Sequence, residues 1–249
     1  MAGRPTRYSP FWQFILSACI ITSMLSEQLK EIYDLLFERF GPQDWWPGDT
    51  PFEVIVGAIL TQNTNWTNVE KAINNLKNAK ALTPDKLHLL DIKKLAELIQ
   101  PAGYFNIKAK RLKNFLDWFF ENYSGELKNL ENVSTAELRQ QLLSVKGIGP
   151  ETADSILLYA LNRPVFVVDA YTARICSRHH LIDDGADPSA VSSGPNRYHQ
   201  IQEMFESNLP SDIQLFNEYH ALLVHLGKDF CKPTPKCEEC PLNGLPHSV

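Results

Sequence analysis

The chain has 249 residues, 44% of them hydrophobic, with 24 Lys and Arg against 29 Asp and Glu for a net charge of −5. This composition excludes disorder, collagen and a disulfide-stapled miniprotein. The mildly acidic balance argues against a histone-like, charge-driven binder of nucleic acid but leaves room for a local basic face, and the length fits one or two globular domains with a cleft between lobes.

At the N-terminus, Arg4 and Arg7 precede an apolar run from Phe11 to Ile21, broken by Gln13 and Ser17. The run is too short for a membrane span, which needs about 20 apolar residues. No small-x-small cleavage site follows it, as a signal peptide would require. Residues 1–23 are therefore read as an extension or an upstream start, with Met24 as the functional first residue.

From Met24 onward the apolar period is helical. Leu25, Leu29, Ile32, Tyr33, Leu36, Phe37 and Phe40 form one stripe that stops at Gly41-Pro42. Trp45-Trp46-Pro47 comes next, then an apolar helix over Phe52 to Leu60, then the polar pair Gln62 and Asn63 ahead of Trp66. A lone tryptophan is usually core, but three within 22 residues, each beside polar or proline neighbours, lean towards a surface cleft. Thr83-Pro84-Asp85 reads as an N-cap followed by proline in the first turn, and Asp91 caps a short helix through Ile99. Tyr104 to Lys113 holds Lys108, Lys110, Arg111 and Lys113 and no acid. Such a run is usually a solvated helix face; in an acidic protein it is also a natural phosphate contact.

Ser134-Thr-Ala-Glu137 is a capping box opening a helix to about Ser144. Gly147-Ile148-Gly149 then allows a tight reversal with positive φ, and Pro150 starts the next helix, so the pattern is helix, hairpin, helix. The two glycines let backbone N–H groups approach a ligand closely, the helix turns its positive end to the same place, and Lys146 adds a point charge. A DNA phosphate suits that site; an ordinary helix-helix turn would need only one glycine.

Val165 to Val168 form an apolar wall ending in Asp169, with Tyr171 and Ile175 on the following helix. The carboxylate either caps the helix from Ala170 or, next to low dielectric, has chemical work to do. Cys176 lies on an apolar helical face as a buried small hydrophobe. Asp183 to Asn196 is a surface loop of Gly, Pro, Ser and Asp, and Ser211-Asp212 starts a long helix through Leu223. No strand hairpin is signalled, so the chain is expected to be all-α, with helices short enough to need tertiary packing.

Of five cysteines, Cys231, Cys237 and Cys240 crowd into the last 19 residues, which is metal arithmetic and not a secreted disulfide framework. The chain is accordingly expected in the cytoplasm, with the bacterial nucleoid, or in a nucleus, and not secreted. Four prolines from Pro233 onward keep the tail from being helical.

The stretch Leu142 to Tyr159 with Val165-Phe-Val-Val-Asp169 resembles the helix-hairpin-helix, Gly/Pro-rich and aspartate motif of the endonuclease III superfamily of DNA glycosylases. Leu60-Thr-Gln62-Asn63-Thr64, Gly103-Tyr-Phe-Asn106-Ile-Lys108-Ala109 and the cysteine tail extend the similarity over most of Met24 to Cys240. The resemblance implies a two-domain all-α fold with a central DNA-binding cleft: 24–48 plus 164–249 as the terminal domain, and 49–163 as a barrel-like domain ending in the hairpin. It implies a monomer acting on double-stranded DNA, with no membrane, that flips out a damaged base and cleaves its bond to deoxyribose through a sugar cation stabilised by Asp169.

Bifunctional members have a lysine one residue beyond Pro150; this chain has Glu151, which cannot form the imine needed for strand cleavage, so a monofunctional glycosylase is expected. Tryptophan attracts cations, and a base alkylated on a ring nitrogen is one. The sequence is similar to the 3-methyladenine DNA glycosylase III branch, whose pocket aromatics fall at Trp46 and Trp66, beside Trp45, with a lysine at Lys228. By the same resemblance Gln62, next to Asn63, fills the gap left by the extruded nucleotide, while Lys108, Lys110 and Arg111 of the basic strip and Lys146, Gly147 and Gly149 of the hairpin are expected, from charge and backbone geometry, to meet the DNA.

An endonuclease III-like glycosylase for oxidised or mismatched pyrimidines, and a non-catalytic helix-hairpin-helix DNA-binding protein, are the alternatives. The tail resembles the family's 4Fe-4S loop but is one residue short in its first interval and lacks the fourth cysteine. A 4Fe-4S cluster with an unusual fourth ligand, zinc with His247 as fourth ligand, and no metal all stay open.

Overall fold

The computed structural model describes residues 10–182 and 195–248, with side chains for 24–182 and 196–248. Among these residues there are eleven α-helices and no strand, as expected for an all-α chain. They are α1 (Pro10–Phe40), α2 (Pro51–Leu60), α3 (Trp66–Asn78), α4 (Pro84–Leu89), α5 (Ile92–Leu98), α6 (Phe105–Tyr123), α7 (Thr135–Ser144), α8 (Pro150–Ser155), α9 (Ala170–Arg178), α10 (Pro195–Asn208) and α11 (Ile213–Asp229). α1 starts at Pro10, ahead of the Met24 start read from the sequence. No described helix is long and apolar enough to cross a membrane. Of the expected 183–196 loop, 183–194 lie outside the described residues, and α10 already begins at Pro195.

The helices fall into two units. One holds Asp44–Asp169 and Asp212–Glu218. Its axis is α2, in which every residue from Phe52 to Leu60 is buried, the charged Glu53 among them paired with Lys77 at 2.7 Å. Ile55, Ile59, Leu76, Leu112, Phe115, Leu116, Phe119 and Leu157 pack in the same core.

Side-chain caps set where its helices begin. Thr50 Oγ1 accepts from Glu53 N (3.2 Å), Asn65 Oδ1 from Asn68 N (3.0 Å), Asp91 Oδ1 from Lys93 N (2.9 Å) and Ser134 Oγ from Glu137 N (3.3 Å). The Thr83, Asp91 and Ser134 caps stand where the sequence puts them.

The other unit comprises the described parts of Met1–Gln43, Ala170–Ser211 and Tyr219–Val249. Leu29, Ile32 and Leu36 of the predicted stripe are buried, while Phe37 is 39% exposed and stacks on Tyr33 at 5.7 Å. Tyr219, fully buried on α11, donates to the Leu29 carbonyl at 2.7 Å and meets Tyr33 edge-on at 5.3 Å. α9 and α11 approach so closely that a Cβ at Gly227 would collide with Tyr171.

Candidate active site

The hairpin between α7 and α8 is built from long-range contacts within its unit. Arg139 of α7 grips Asp154 of α8 with both arms of its guanidinium, Nε to Oδ1 at 2.6 Å and a terminal nitrogen to Oδ2 at 2.9 Å; Asp154 is fully buried. Gly147 takes φ +100°, and a Cβ there would run into the Arg111 side chain, so two separate reasons demand glycine. Gly149 is extended (φ −97°, ψ 178°), and a Cβ on it would meet nothing within 4 Å. The positive φ expected for this reversal therefore falls on Gly147 alone; Gly149 leaves open space above the first turn of α8. Ile148 between them is buried and pins the loop to the core.

Gln62 braces the hairpin from below. Its Nε2 donates to the Gly147 carbonyl (3.0 Å) and to Thr152 Oγ1 (2.9 Å), and Arg111 donates to its Oε1. A gap-filling role for Gln62 requires those bonds to be exchanged. Its neighbour Asn63 is exposed with φ +55°.

Lys108 corrects the reading of the basic strip. It is 1% exposed, and its Nζ donates to the carbonyls of Leu60 (2.8 Å) and Ala102 (2.7 Å), closing the C-terminal end of α2. Burial first, and the Arg111 charge second, push its ammonium down to about 8. Lys108 is thus a helix-end strut and not a phosphate contact. Lys110 and Lys146 are exposed, and Tyr104 (69% exposed) and Ile107 (52% exposed) bring an aromatic and an aliphatic surface to the start of α6.

Trp45, Trp46 and Trp66 are half-buried and come together. Trp46 meets Trp66 edge-on (5.2 Å, 86°) and Trp45 edge-on (5.6 Å, 72°), and it tilts against Tyr159 (5.0 Å, 37°). Gly57 of α2 lies under them, where a Cβ would touch Trp66 at 3.4 Å and the Trp46 Nε1 at 3.5 Å. The Trp46 N–H is buried with no acceptor among the described residues.

Tyr159, which the sequence offered only as the end of an apolar run, enters this group because α8 passes into a π-helical turn over Ile156–Ala160. Periodicity at 3.6 residues does not anticipate that turn.

Two carboxyl groups adjoin the aromatics. Asp169, half-buried, immediately precedes α9. Glu151 stands exposed in the first turn of α8, and burial first, then Asp169, push its carboxyl up to about 7. The Tyr159 hydroxyl is raised by burial, then by Asp169, with Trp45 acting the other way and Glu151 adding to the rise. Tyr159 thus feels both carboxyl groups while its ring lies on Trp46.

Lys228 belongs to the other unit, exposed in the last turn of α11. In that unit Cys231, Cys237 and Cys240 line one cavity with Arg178, His179 and His247. Burial is the main cause raising the Cys240 thiol, with Cys231 and Cys237 contributing.

These residues do not fit a four-thiolate cluster. A fourth thiol is lacking, and among the described residues no three Cys, His, Asp or Glu side chains are grouped so as to hold a metal ion. The tail is instead tied to α9. Arg174 donates to the Cys231 carbonyl (2.7 Å), and Arg178 donates to the Lys232 and Pro233 carbonyls (2.6 and 3.0 Å) and to Cys231 Sγ (3.3 Å).

Residues 56–194 match the HhH-GPD family, described as HhH-GPD superfamily base excision DNA repair protein. A protein of Methanocaldococcus jannaschii named as a DNA repair glycosylase is 49% identical over 217 residues, covering 87% of this chain and 94% of its own. The H. pylori 3-methyladenine DNA glycosylase MagIII, solved bound to 1,N6-ethenoadenine, is 31% identical with a TM-score of 0.64, over 83% of this chain and 97% of that one. An endonuclease III in a non-covalent DNA complex shares the fold with a TM-score of 0.71 at 20% identity, over 88% and 94% of the two chains.

Proposed function

The chain belongs to the HhH-GPD superfamily of base excision DNA repair proteins, and on that basis we propose that it is a monofunctional DNA N-glycosylase for alkylated, 3-methyladenine-like purines. One observation carries the reading: Trp46 and Trp66 gathered over Gly57, with Tyr159 against Trp46 and Asp169 bearing on the Tyr159 hydroxyl. Indole faces attract a cationic base, and an alkylated base already leaves well, so a single anion suffices for the sugar cation.

DNA is held by the hairpin. The open approach above Gly149 admits a phosphate to backbone N–H groups, and Lys146 and Lys110 add exposed charge. Everting the nucleotide costs a few kcal/mol, least for a damaged base. The N-glycosidic bond then breaks, the Asp169 carboxylate stabilises the positive sugar, and the same group orients and deprotonates the attacking water. Glu151 occupies the place where an amine would be needed for an imine, so the product is an intact abasic site. The 31% identity to an enzyme named for 3-methyladenine supports the choice of base.

The test is a panel of duplexes with one lesion each. The wild type is expected to release 3-methyladenine, with Asp169→Asn slower by about a hundredfold or more and borohydride trapping no covalent adduct with either. Absence of 3-methyladenine release, or a trapped wild-type adduct, overturns the proposal.

A further inference from the structure

Two side-chain amides reach the hairpin from neighbouring elements of its own unit. Gln62, just past the end of α2, donates to the Gly147 carbonyl (3.0 Å). Asn114, on α6, donates to the carbonyl of the residue before it, Lys146 (2.8 Å). We propose that Asn114 is a positioning residue for DNA binding: it turns the peptide between Lys146 and Gly147 so that the Gly147 N–H faces outward to a phosphate. The inference rests on the reading that the hairpin holds DNA through its backbone, and it adds to that reading a residue that acts through the loop.

Peptide geometry supplies the mechanism. A trans peptide is planar with its C=O and N–H on opposite sides, so a bond that draws the carbonyl inward sends the N–H of the next residue outward. Asn114 does this to the 146–147 peptide, which joins exposed Lys146 to half-buried Gly147. Gln62 fixes the 147–148 peptide, whose N–H, on Ile148, closes a tight turn on the Val145 carbonyl (3.0 Å). The N–H groups of Gly147 and Gly149 have no acceptor among the described residues, which leaves both to a ligand.

The need for such tethers arises at Gly147 itself. Its φ of +100° and the Arg111 stem demand glycine, yet glycine is the residue about which peptide planes turn most freely. An amide on each side of it removes that freedom before DNA arrives, so the cost of ordering the loop falls on folding and not on binding. α6 thereby meets the hairpin on one face at two successive places, through Arg111 against Gly147 and, three residues on, through Asn114.

The experiment measures binding of the full chain, as wild type, Asn114→Leu and Asn114→Ala, to a duplex carrying one stable abasic-site analogue, which fixes the register. Single phosphates are replaced, one position at a time, by an uncharged methylphosphonate. Leucine is close to asparagine in shape and loses the donor without adding charge. In the wild type one position is expected to show a loss of about tenfold, and Gly149→Ala, by shrinking that loss, marks the position as the hairpin's phosphate. Both Asn114 variants are expected to bind the unmodified duplex about fivefold more weakly, with the penalty at that position reduced to about twofold and the penalties elsewhere unchanged. A full penalty that survives there in both variants overturns the proposal even if overall binding has weakened, because a merely structural asparagine weakens every contact alike. Loss of the fold in both variants, read from thermal melts, makes Asn114 a structural strut and overturns it as well. A wild-type scan with no position sensitive to Gly149→Ala sinks the reading of the hairpin as the DNA anchor, and this inference with it.

Discussion

The two glycines of the hairpin look alike as letters and differ in what they are for. Gly147 is fixed by its own dihedral and by the Arg111 stem, whereas Gly149 is fixed by what approaches it from outside. Gly147→Ala is therefore expected to cost about 1–3 kcal/mol of stability through left-handed strain and collision. Gly149→Ala is expected to melt within about 0.5 kcal/mol of the wild type and yet bind duplex DNA more weakly, because its methyl fills the open approach. Chemical denaturation paired with fluorescence titration of a DNA duplex checks both. Equal loss of stability in the two variants would mean that Gly149 is structural too. Gln62 follows the same logic, since its amide is defined by contacts with residues 85 and 90 positions away and not by its neighbours in sequence.

Among the elements, α7 and α8 form a hairpin because their contact is electrostatic as well as apolar. The Arg139–Asp154 pair joins them in two parallel bonds, and the carboxylate is removed from water. Removing one partner of such a pair strands the other charge, so Arg139→Ala is expected to lose about 3–5 kcal/mol in urea unfolding. Arg139→Ala combined with Asp154→Leu should recover much of that, which a double-mutant cycle measures. The π-helical turn after α8 matters for a different reason: it lies where Tyr159 must meet Trp46. α2 is the rod on which all of this is mounted, capped at its start by Thr50 and closed at its end by Lys108.

Lys108 also gives the molecule a signature in its stability against pH. Its folded value of about 8 lies below its ordinary 10.5, so between those limits the unfolded chain binds more protons than the folded one. Stability from this group is least below about 8, where the buried ammonium must be desolvated, and rises as pH climbs towards 10.5. Lys108→Met is expected to abolish that rise and to be less stable, because the Leu60 and Ala102 carbonyls lose their donor. Unfolding curves of both proteins from pH 7 to 10 test this, and parallel pH dependences would refute it.

The helices, several of their caps, the hairpin and the HhH-GPD resemblance were all legible in the letters. Each depends on neighbours within a turn or two: Asp91 caps what directly follows it, and Pro150 starts what it precedes. The fate of Lys108 was not legible, because a lysine beside other basic residues reads as surface until the end of α2 is found to need a donor. Nor was the company kept by Glu151, which the letters marked only as the absence of a lysine. What brings Tyr159 to Trp46 is the packing of segments far apart in the chain together with a turn that departs from the ordinary helical period. The sequence by itself determined the local geometry and the inventory of reactive groups. Only the tertiary structure decided which of those groups come together, because packing and charge coupling depend on distance through space.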